Sequence, residues 1–137
     1  MPVISRNKEN ELIMVCIYDA LTRISLSDEF SIEEMMESIF ETPFNDISLF
    51  AKQVVVKSLS HIDEIEAIYQ AQMPKWKFSR LNRLEQAILL MSYTHYQIEG
   101  KDSKRVIIDV AVRLSKKYLD ESDYKFVNAI LDNVLWI

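Results

Sequence analysis

Glycine is almost absent from this sequence, since Gly100 is the single glycine among 137 residues. Phosphate-cradling loops and dinucleotide-binding turns need several glycines for close approach of the backbone, so P-loop and Rossmann chemistry are excluded. Primed hairpin turns also favour glycine, which argues against an all-β fold. The single cysteine, Cys16, permits neither an internal disulfide nor a cysteine-based zinc site.

Long hydrophobic runs are also missing. The longest uninterrupted apolar segment is 12–18, seven residues, whereas a membrane span needs about 20 apolar residues. The first ten residues are polar and lack the apolar core of a secretory signal. We therefore expect a cytoplasmic protein that does not enter a membrane. A chain of 137 residues suits one domain, 1–137, that buries roughly 68–70% of its unfolded surface.

Apolar residues recur at helical spacing along most of the chain, and this pattern predicts an all-α domain. The predicted helices cover about 8–25, a segment beginning at Ser31, 47–72 (either continuous or broken near His61), 82–98, 104–119 and 122–135. Ser31 and Asn82 are each followed three residues later by glutamate, which is a helix-start pattern. Valines 54–56 are β-branched, but they continue a helical frame and are predicted to be helical.

Two of these helices carry further predictions. The helix over 82–98 is apolar around most of its circumference, which indicates a central and buried element. In the helix over 104–119 the predicted core stripe is Val106, Val110, Leu114 and Tyr118, and the opposite stripe is basic. Gly100 lies between the two helices, where it is expected to end the first.

Residues suited to catalysis are few and scattered. His61 and His95 are far apart and match no metal-binding spacing, and His95 is predicted to be a packed, hydrogen-bonded histidine. Cys16 lies on the apolar stripe of the first helix, where a cysteine normally behaves as a small hydrophobic residue. We therefore predict that the protein is not an enzyme and requires no metal or other cofactor.

Charge is distributed unevenly. Residues 74–117 contain ten basic and four acidic residues, although the whole chain has a net charge of −5. This segregation indicates either an oriented partner or, for any single run of charge, the ordinary polar face of a solvated helix. An acidic protein binds polyanions poorly by itself, so any RNA should be bound at a local patch or with a basic partner. Trp76 and Phe78, in the basic linker, either stack on bases or anchor the linker on the core, and we favour the anchor.

Three blocks of this sequence match a family pattern in order and spacing. Residues 76–89 read WKFSRLNRLEQAIL, 108–118 read IDVAVRLSKKY and 125–132 read KFVNAILD. Together they resemble the NusB family, whose pattern includes W-x-x-x-R-L, A-I-L and K-F-V-N. The first helix, with IYDAL at 17–21, is similar to the A-L-Y helix of that family.

This resemblance implies a compact seven-helix fold of two packed helical bundles, an N-terminal one over about 8–72 and a C-terminal one over about 80–137. It also implies a bacterial transcription antitermination and ribosomal-RNA synthesis factor. Such a factor binds single-stranded boxA-type RNA together with the small-subunit ribosomal protein NusE. The RNA polymerase elongation complex is then a further partner.

The resemblance also assigns site residues. RNA binding is predicted for Arg6, Lys8, Tyr124, Lys125 and Phe126, although Phe126 shares an apolar stripe and is equally consistent with a core position. Partner binding is predicted for three residues: Tyr18, Arg83 and Glu85. Glu85 is expected to be exposed because it lies in the first turn of its helix.

Departures from the family pattern leave alternatives open. The arginine-rich start of the family is reduced here to Arg6 and Lys8, and N-E-A becomes D-V-A at 109–111. Fewer cations should weaken RNA binding more than they disturb the fold. One alternative is therefore a protein–protein interaction module that has weakened or lost RNA contact. Another is an RNA-targeting domain of the kind fused to rRNA cytosine methyltransferases, which the chain's end at Ile137 makes a poor match.

Overall fold

Helices account for nearly all regular structure in the computed structural model, which describes residues 4–136. Within that range there are seven α-helices, three short 3-10 segments and no strand, and the predicted all-α, seven-helix fold is confirmed. The helices are α1 (Arg6–Ser25), α2 (Ile32–Phe40), α3 (Leu49–Ser60), α4 (Ile62–Gln70), α5 (Arg83–Glu99), α6 (Lys104–Tyr118) and α7 (Glu121–Val134). The predicted domain limits, 1 and 137, lie outside the described residues.

Short polar side chains begin several of these helices, as the sequence pattern predicted. The Ser31 hydroxyl accepts a hydrogen bond from the Glu34 amide at 3.2 Å, and Asn82 Oδ1 accepts one from the Leu84 amide at 2.8 Å. These bonds satisfy amides that have no partner within their own helix. Gly100 ends α5 with a φ of +86°, a conformation that favours glycine.

A single residue separates α3 from α4. His61 has φ −126° and ψ 28°, outside the helical region, and the predicted break near this residue is confirmed. Residues 54–56 are helical, as predicted, with Val54 and Val55 buried and Val56 exposed. Packing of Val54 and Val55 in the core explains why β-branched residues are tolerated in this helix.

The α5 helix is the centre of the molecule, as predicted. It contacts α1, α3, α4, α6 and α7, and the consecutive residues 87–92 are all buried. His95 is buried too, with Nε2 2.8 Å from Glu99 Oε2 and its ring 4.8 Å from that of Phe50 in an edge-on arrangement. The prediction of a packed, hydrogen-bonded histidine is therefore confirmed.

Cys16 lies in the core contributed by α1. It is fully buried, and burial raises the pKa of its thiol to about 12. A thiol with such a pKa stays protonated at neutral pH and is a poor nucleophile. Cys16 therefore acts as a small hydrophobic residue, as predicted.

The core stripe predicted for α6 is wrong at both ends. Val106 is 58% exposed and Tyr118 is 41% exposed, whereas Ile107, Val110 and Leu114 are buried. An α-helix advances about 100° per residue, so each step of four residues rotates the stripe by about 40°. Over three such steps the first and last residues leave the buried face, and Tyr118 reaches the surface.

Among the described residues, no helix is both long and apolar enough to cross a membrane.

Candidate nucleic-acid interface

The start of α1 and the end of α6 are joined at Glu11. Lys117 Nζ donates a hydrogen bond to Glu11 Oε2 at 2.9 Å, and the Tyr118 hydroxyl donates one to Oε1 at 2.6 Å. Both bonds lower the pKa of the Glu11 carboxyl, and the bond from Tyr118 has the larger effect. The positive charges of Lys117 and Lys8 lower this pKa further. One carboxylate thus holds Lys117 and the exposed Tyr118 of α6 against α1, three residues from Lys8 in the chain.

The end of α6 also meets the start of α7. Lys116 Nζ lies 5.0 Å from the centre of the Tyr124 ring, which is a cation–π distance. Lys125 Nζ lies 3.0 Å from Glu121 Oε1 on the exposed side of α7. The first turn of α7 is held by a capping box between Asp120 and Asp123. Tyr124 and Lys125 therefore project from a fixed helix start.

These contacts define one surface, which we call the cationic–aromatic surface. Its residues are Lys8, Lys116, Lys117, Tyr118, Tyr124 and Lys125. Lysine ammonium groups can neutralise phosphates, and exposed aromatic rings can stack on unpaired bases. The arrangement is therefore chemically suited to single-stranded nucleic acid.

Sequence reasoning selected only half of this surface. Lys8, Tyr124 and Lys125 were predicted. Lys117 shares Glu11 with Lys8, and Lys116 contacts Tyr124, whereas Lys125 pairs with Glu121 on its own helix. Those two lysines and Tyr118 were missed as site residues. The available signal was the basic stripe of α6, because a stripe opposite the core must face solvent or a partner.

Arg6 and Phe126 are placed differently from the other predicted RNA-binding residues. The Arg6 guanidinium lies 3.2 Å from Glu9 and 3.9 Å from Glu99, and 4.2 Å from the centre of the Phe50 ring. It therefore contacts α3 and α5 rather than α6. Phe126 is half-buried and packs against the hydrophobic core, so its position is intermediate between the two alternatives.

Two of the three predicted partner-binding residues are brought together. Arg83 Nη1 donates a hydrogen bond to Thr22 Oγ1 at 3.2 Å, and the Thr22 hydroxyl donates one to the Tyr18 carbonyl at 3.0 Å. Tyr18 is 40% exposed. Tyr18, Thr22 and Arg83 thus form a continuous patch where α1 crosses the start of α5, and we call it the α1–α5 patch.

The expectation that Glu85 is exposed is wrong. Glu85 is only 3% exposed, although it lies in the first turn of α5. The start of α7 lies beside it. Burial, and then the nearby Asp123 carboxylate, raise the pKa of Glu85 to about 7. First-turn residues face solvent only where no other element covers them, and here the start of α7 does.

The two aromatic residues of the basic linker, Trp76 and Phe78, differ in burial. Phe78 is 1% exposed and stacks on Tyr69 with ring centres 5.8 Å apart, so the predicted anchor is confirmed for this residue. Trp76 is 68% exposed, and the anchor prediction is wrong for it. Two positions along the chain are enough to place one ring inside and the other outside.

Fold and surface together define an all-helical protein whose cationic and aromatic side chains converge from three helices on one surface. A family model described as the NusB family matches residues 8–135. The chain belongs to the NusB family. The predicted family is confirmed, and because that family of transcription antitermination factors is non-catalytic, the protein is not an enzyme.

Relatives and solved structures agree with this assignment. The chain is 30% identical over 103 residues to "Transcription antitermination protein NusB" of Lysinibacillus sphaericus strain C3-41, covering 75% of this chain and 79% of the relative. It superposes on T. maritima NusB with a TM-score of 0.78 at 19% identity, over 98% and 92% of the two chains. A chain from a structure described as "Crystal Structure of a Plectonemic RNA Supercoil" has a TM-score of 0.74 at 24% identity, over 95% and 94%. The two structural matches show a shared fold.

Proposed function

We propose that this protein is a cytoplasmic RNA-binding transcription antitermination factor. It binds single-stranded boxA-type RNA together with the ribosomal protein NusE, at the RNA polymerase elongation complex, during rRNA synthesis. Family membership supports the antitermination role. The observation that carries the RNA-binding proposal is the convergence of Lys116 and Lys117 of α6 with Lys8 of α1 and Tyr124 of α7.

Electrostatics explain why a partner is part of the proposal. Affinity for RNA grows with the number of phosphates that lysine and arginine neutralise, and this chain has a net charge of −5. Lys117 and Lys125 are also paired with carboxylates, so part of their charge is already neutralised. A cationic ribosomal protein docked nearby adds the positive charge that the cationic–aromatic surface lacks. RNA then lies across both proteins.

The α1–α5 patch is the proposed NusE contact. Tyr18 and Arg83 present a phenol and a guanidinium on two helices whose relative position is held by Thr22. Glu85 is buried beside the start of α7, so it offers little side-chain surface to a partner. Arg6 reaches RNA only by exchanging Glu9 and Glu99 for a phosphate, and Phe126 offers RNA only the part of its ring that is not packed against the core.

A double substitution tests the RNA-binding surface. Lys116→Gln with Lys117→Gln removes two cations where three helices meet, and we expect weaker binding of boxA-type RNA by the complex with NusE. The slope of log affinity against log salt should become shallower by about 1.4, because single-stranded RNA contributes about 0.7 per phosphate contact. Fluorescence anisotropy of labelled RNA over a salt series measures both quantities.

The matched control is Lys57→Gln with Lys101→Gln. These two lysines are exposed, lie on other parts of the molecule, and change the net charge by the same amount. An equal loss of RNA affinity in the control would show that overall charge, rather than this surface, determines binding. Tight NusE binding with no gain of RNA in the ternary mixture would instead identify a protein–protein interaction module.

A further inference from the structure

The connection between α4 and α5 presents one tryptophan to solvent. Trp76 is 68% exposed, while Met73 and Phe78, on either side of it, are 2% and 1% exposed. The buried neighbours hold the connection against the core. An exposed indole between two buried anchors is therefore projected outward by the backbone, because its neighbours prevent the loop from folding it inward.

A single side chain at the end of α4 holds this connection in place. Gln70 Nε2 donates hydrogen bonds to the Trp76 carbonyl at 2.7 Å and to the Met73 carbonyl at 3.1 Å, and Gln70 Oε1 accepts one from the Phe78 amide at 2.8 Å. The Trp76 amide donates to the Met73 carbonyl at 3.2 Å. A ligand that stacks on Trp76 thus meets a backbone that is already ordered, which lowers the entropic cost of binding.

Three cations lie within four positions of this tryptophan in the chain, and two of them, Lys75 and Lys77, line the same cleft. Lys75, Lys77 and Arg80 are exposed, and none of them forms an ion pair with another described residue. Lys117 and Lys125 of the cationic–aromatic surface, in contrast, are both paired. The cleft beside Trp76 is lined by one carboxylate, that of Glu66, which forms no ion pair with these cations. Cations without a protein counter-ion keep their full charge for an incoming phosphate.

We propose that Trp76, with Lys75 and Lys77, forms a second contact for single-stranded RNA, separate from the cationic–aromatic surface. A base stacks on the indole and the two lysines bind the flanking phosphates. The proposal rests on the proposed function in one respect, namely that RNA is the natural ligand. Positive charge on both sides of a lone exposed ring favours an unpaired nucleotide over a protein, whose contacts need a wider apolar surface.

Fluorine NMR tests the stacking directly. The chain has two tryptophans, and 5-fluorotryptophan incorporated at both positions gives one signal for each, assigned with Trp136→Phe. Trp136 is the matched internal control because it is 66% exposed, close to the value for Trp76. The probe is a 20-nucleotide oligouridine, compared with a 20-base-pair RNA duplex in which the bases are already stacked. We expect the Trp76 signal to shift saturably with oligouridine and not with the duplex. The Trp136 signal should show no comparable shift with either RNA.

Affinity measurements give an independent test. Trp76→Ala should weaken oligouridine binding at least about fivefold, Trp76→Phe should retain most of it, and Trp136→Ala should have no effect. Lys75→Gln with Lys77→Gln should make the salt slope shallower by about 1.4. Thermal melting of the variants checks that the fold is unchanged, as expected for substitutions at exposed positions.

The contrary outcomes separate this proposal from the proposed function. RNA binding without a shift of the Trp76 signal overturns the second contact and leaves the antitermination role intact. Failure to bind RNA even with NusE overturns both. An equal shift with the duplex overturns base stacking. Weaker NusE binding by Trp76→Ala in the absence of RNA assigns Trp76 to a protein contact, and that also overturns the proposal.

Discussion

Glu85 shows how the environment of one residue can reverse its expected role. Its first-turn position indicates a solvated carboxylate, but the structure buries it beside Asp123 at the start of α7. Two nearby carboxylates repel each other, and a proton on Glu85 removes that repulsion. The residue therefore responds to pH in a range where most glutamates do not.

Glu85→Gln tests that response at the scale of one residue. The pKa of Glu85 is raised to about 7 in the folded state from an ordinary value of 4.5. Since the folded state binds the proton more tightly, the wild-type protein should lose stability as pH rises from about 4.5 through 7. The glutamine amide does not ionise in this range, so the variant should lack this component, on the order of 1–2 kcal/mol.

Urea denaturation at pH 4, 5 and 8 measures the effect. At pH 4 the carboxyl is largely protonated in both the folded and the unfolded states, so the wild type and Glu85→Gln should be closest in stability there. The difference should favour the variant at pH 8. A constant difference across the three pH values would show that the proton on Glu85 does not contribute to folding.

The side chains of the cationic–aromatic surface lie at the ends of three helices. α1 contributes its first turns to the cationic–aromatic surface, α6 its last turn and α7 its first turn. Helix ends fray unless their free backbone groups are satisfied. The capping box between Asp120 and Asp123 therefore holds Tyr124 and Lys125 in position.

Asp120→Ala tests this at the scale of the element. Removing the cap should lower the free energy of unfolding by about 1 kcal/mol. Amide exchange should become faster at Asp123 and its neighbours in the first turn of α7, measured by NMR. Ser31→Ala is the control, since Ser31 caps α2 through the Glu34 amide and should leave the α7 amides unaffected. Unchanged exchange at Asp123 in Asp120→Ala would contradict the assignment.

At the scale of the whole molecule, one core joins all seven helices. α5 packs against both its earlier neighbours, α1, α3 and α4, and its later ones, α6 and α7. The Tyr69 hydroxyl donates a 2.6 Å hydrogen bond to the Leu89 carbonyl, and the Ser58 hydroxyl donates one to Thr94 Oγ1 at 2.8 Å. A helix shared in this way couples the earlier helices to the later ones, so all seven should unfold together.

Leu89→Ala is the corresponding prediction. Leu89 is fully buried in α5, and its truncation should cost about 2–5 kcal/mol. Leu49→Ala, at a position 68% exposed, should change stability by no more than about 0.5 kcal/mol. Far-UV circular dichroism and tryptophan fluorescence should report one coincident urea transition in all three proteins. Separate transitions by the two probes would show that parts of the molecule unfold independently.

Local features of this fold could be predicted from the sequence. The helix starts at Ser31 and Asn82, the break at His61 and the end at Gly100 each depend on residues within one turn. The family could be predicted as well, because its blocks keep their spacing. The candidate surface could be predicted only in part. Lys8, Tyr124 and Lys125 had been predicted as RNA-binding residues, Lys116, Lys117 and Tyr118 had not, and RNA binding by all six stays a prediction.

What the sequence determined by itself is the helical content, most helix boundaries and the family, because backbone hydrogen bonds and caps join residues three or four positions apart. Only the tertiary structure decided which side chains meet. Glu11 and Tyr118 are 107 positions apart, and their bond exists because α1 and α6 pack together. The burial of Glu85 and the exposure of Trp76 were decided in the same way, by whether another element covers the position.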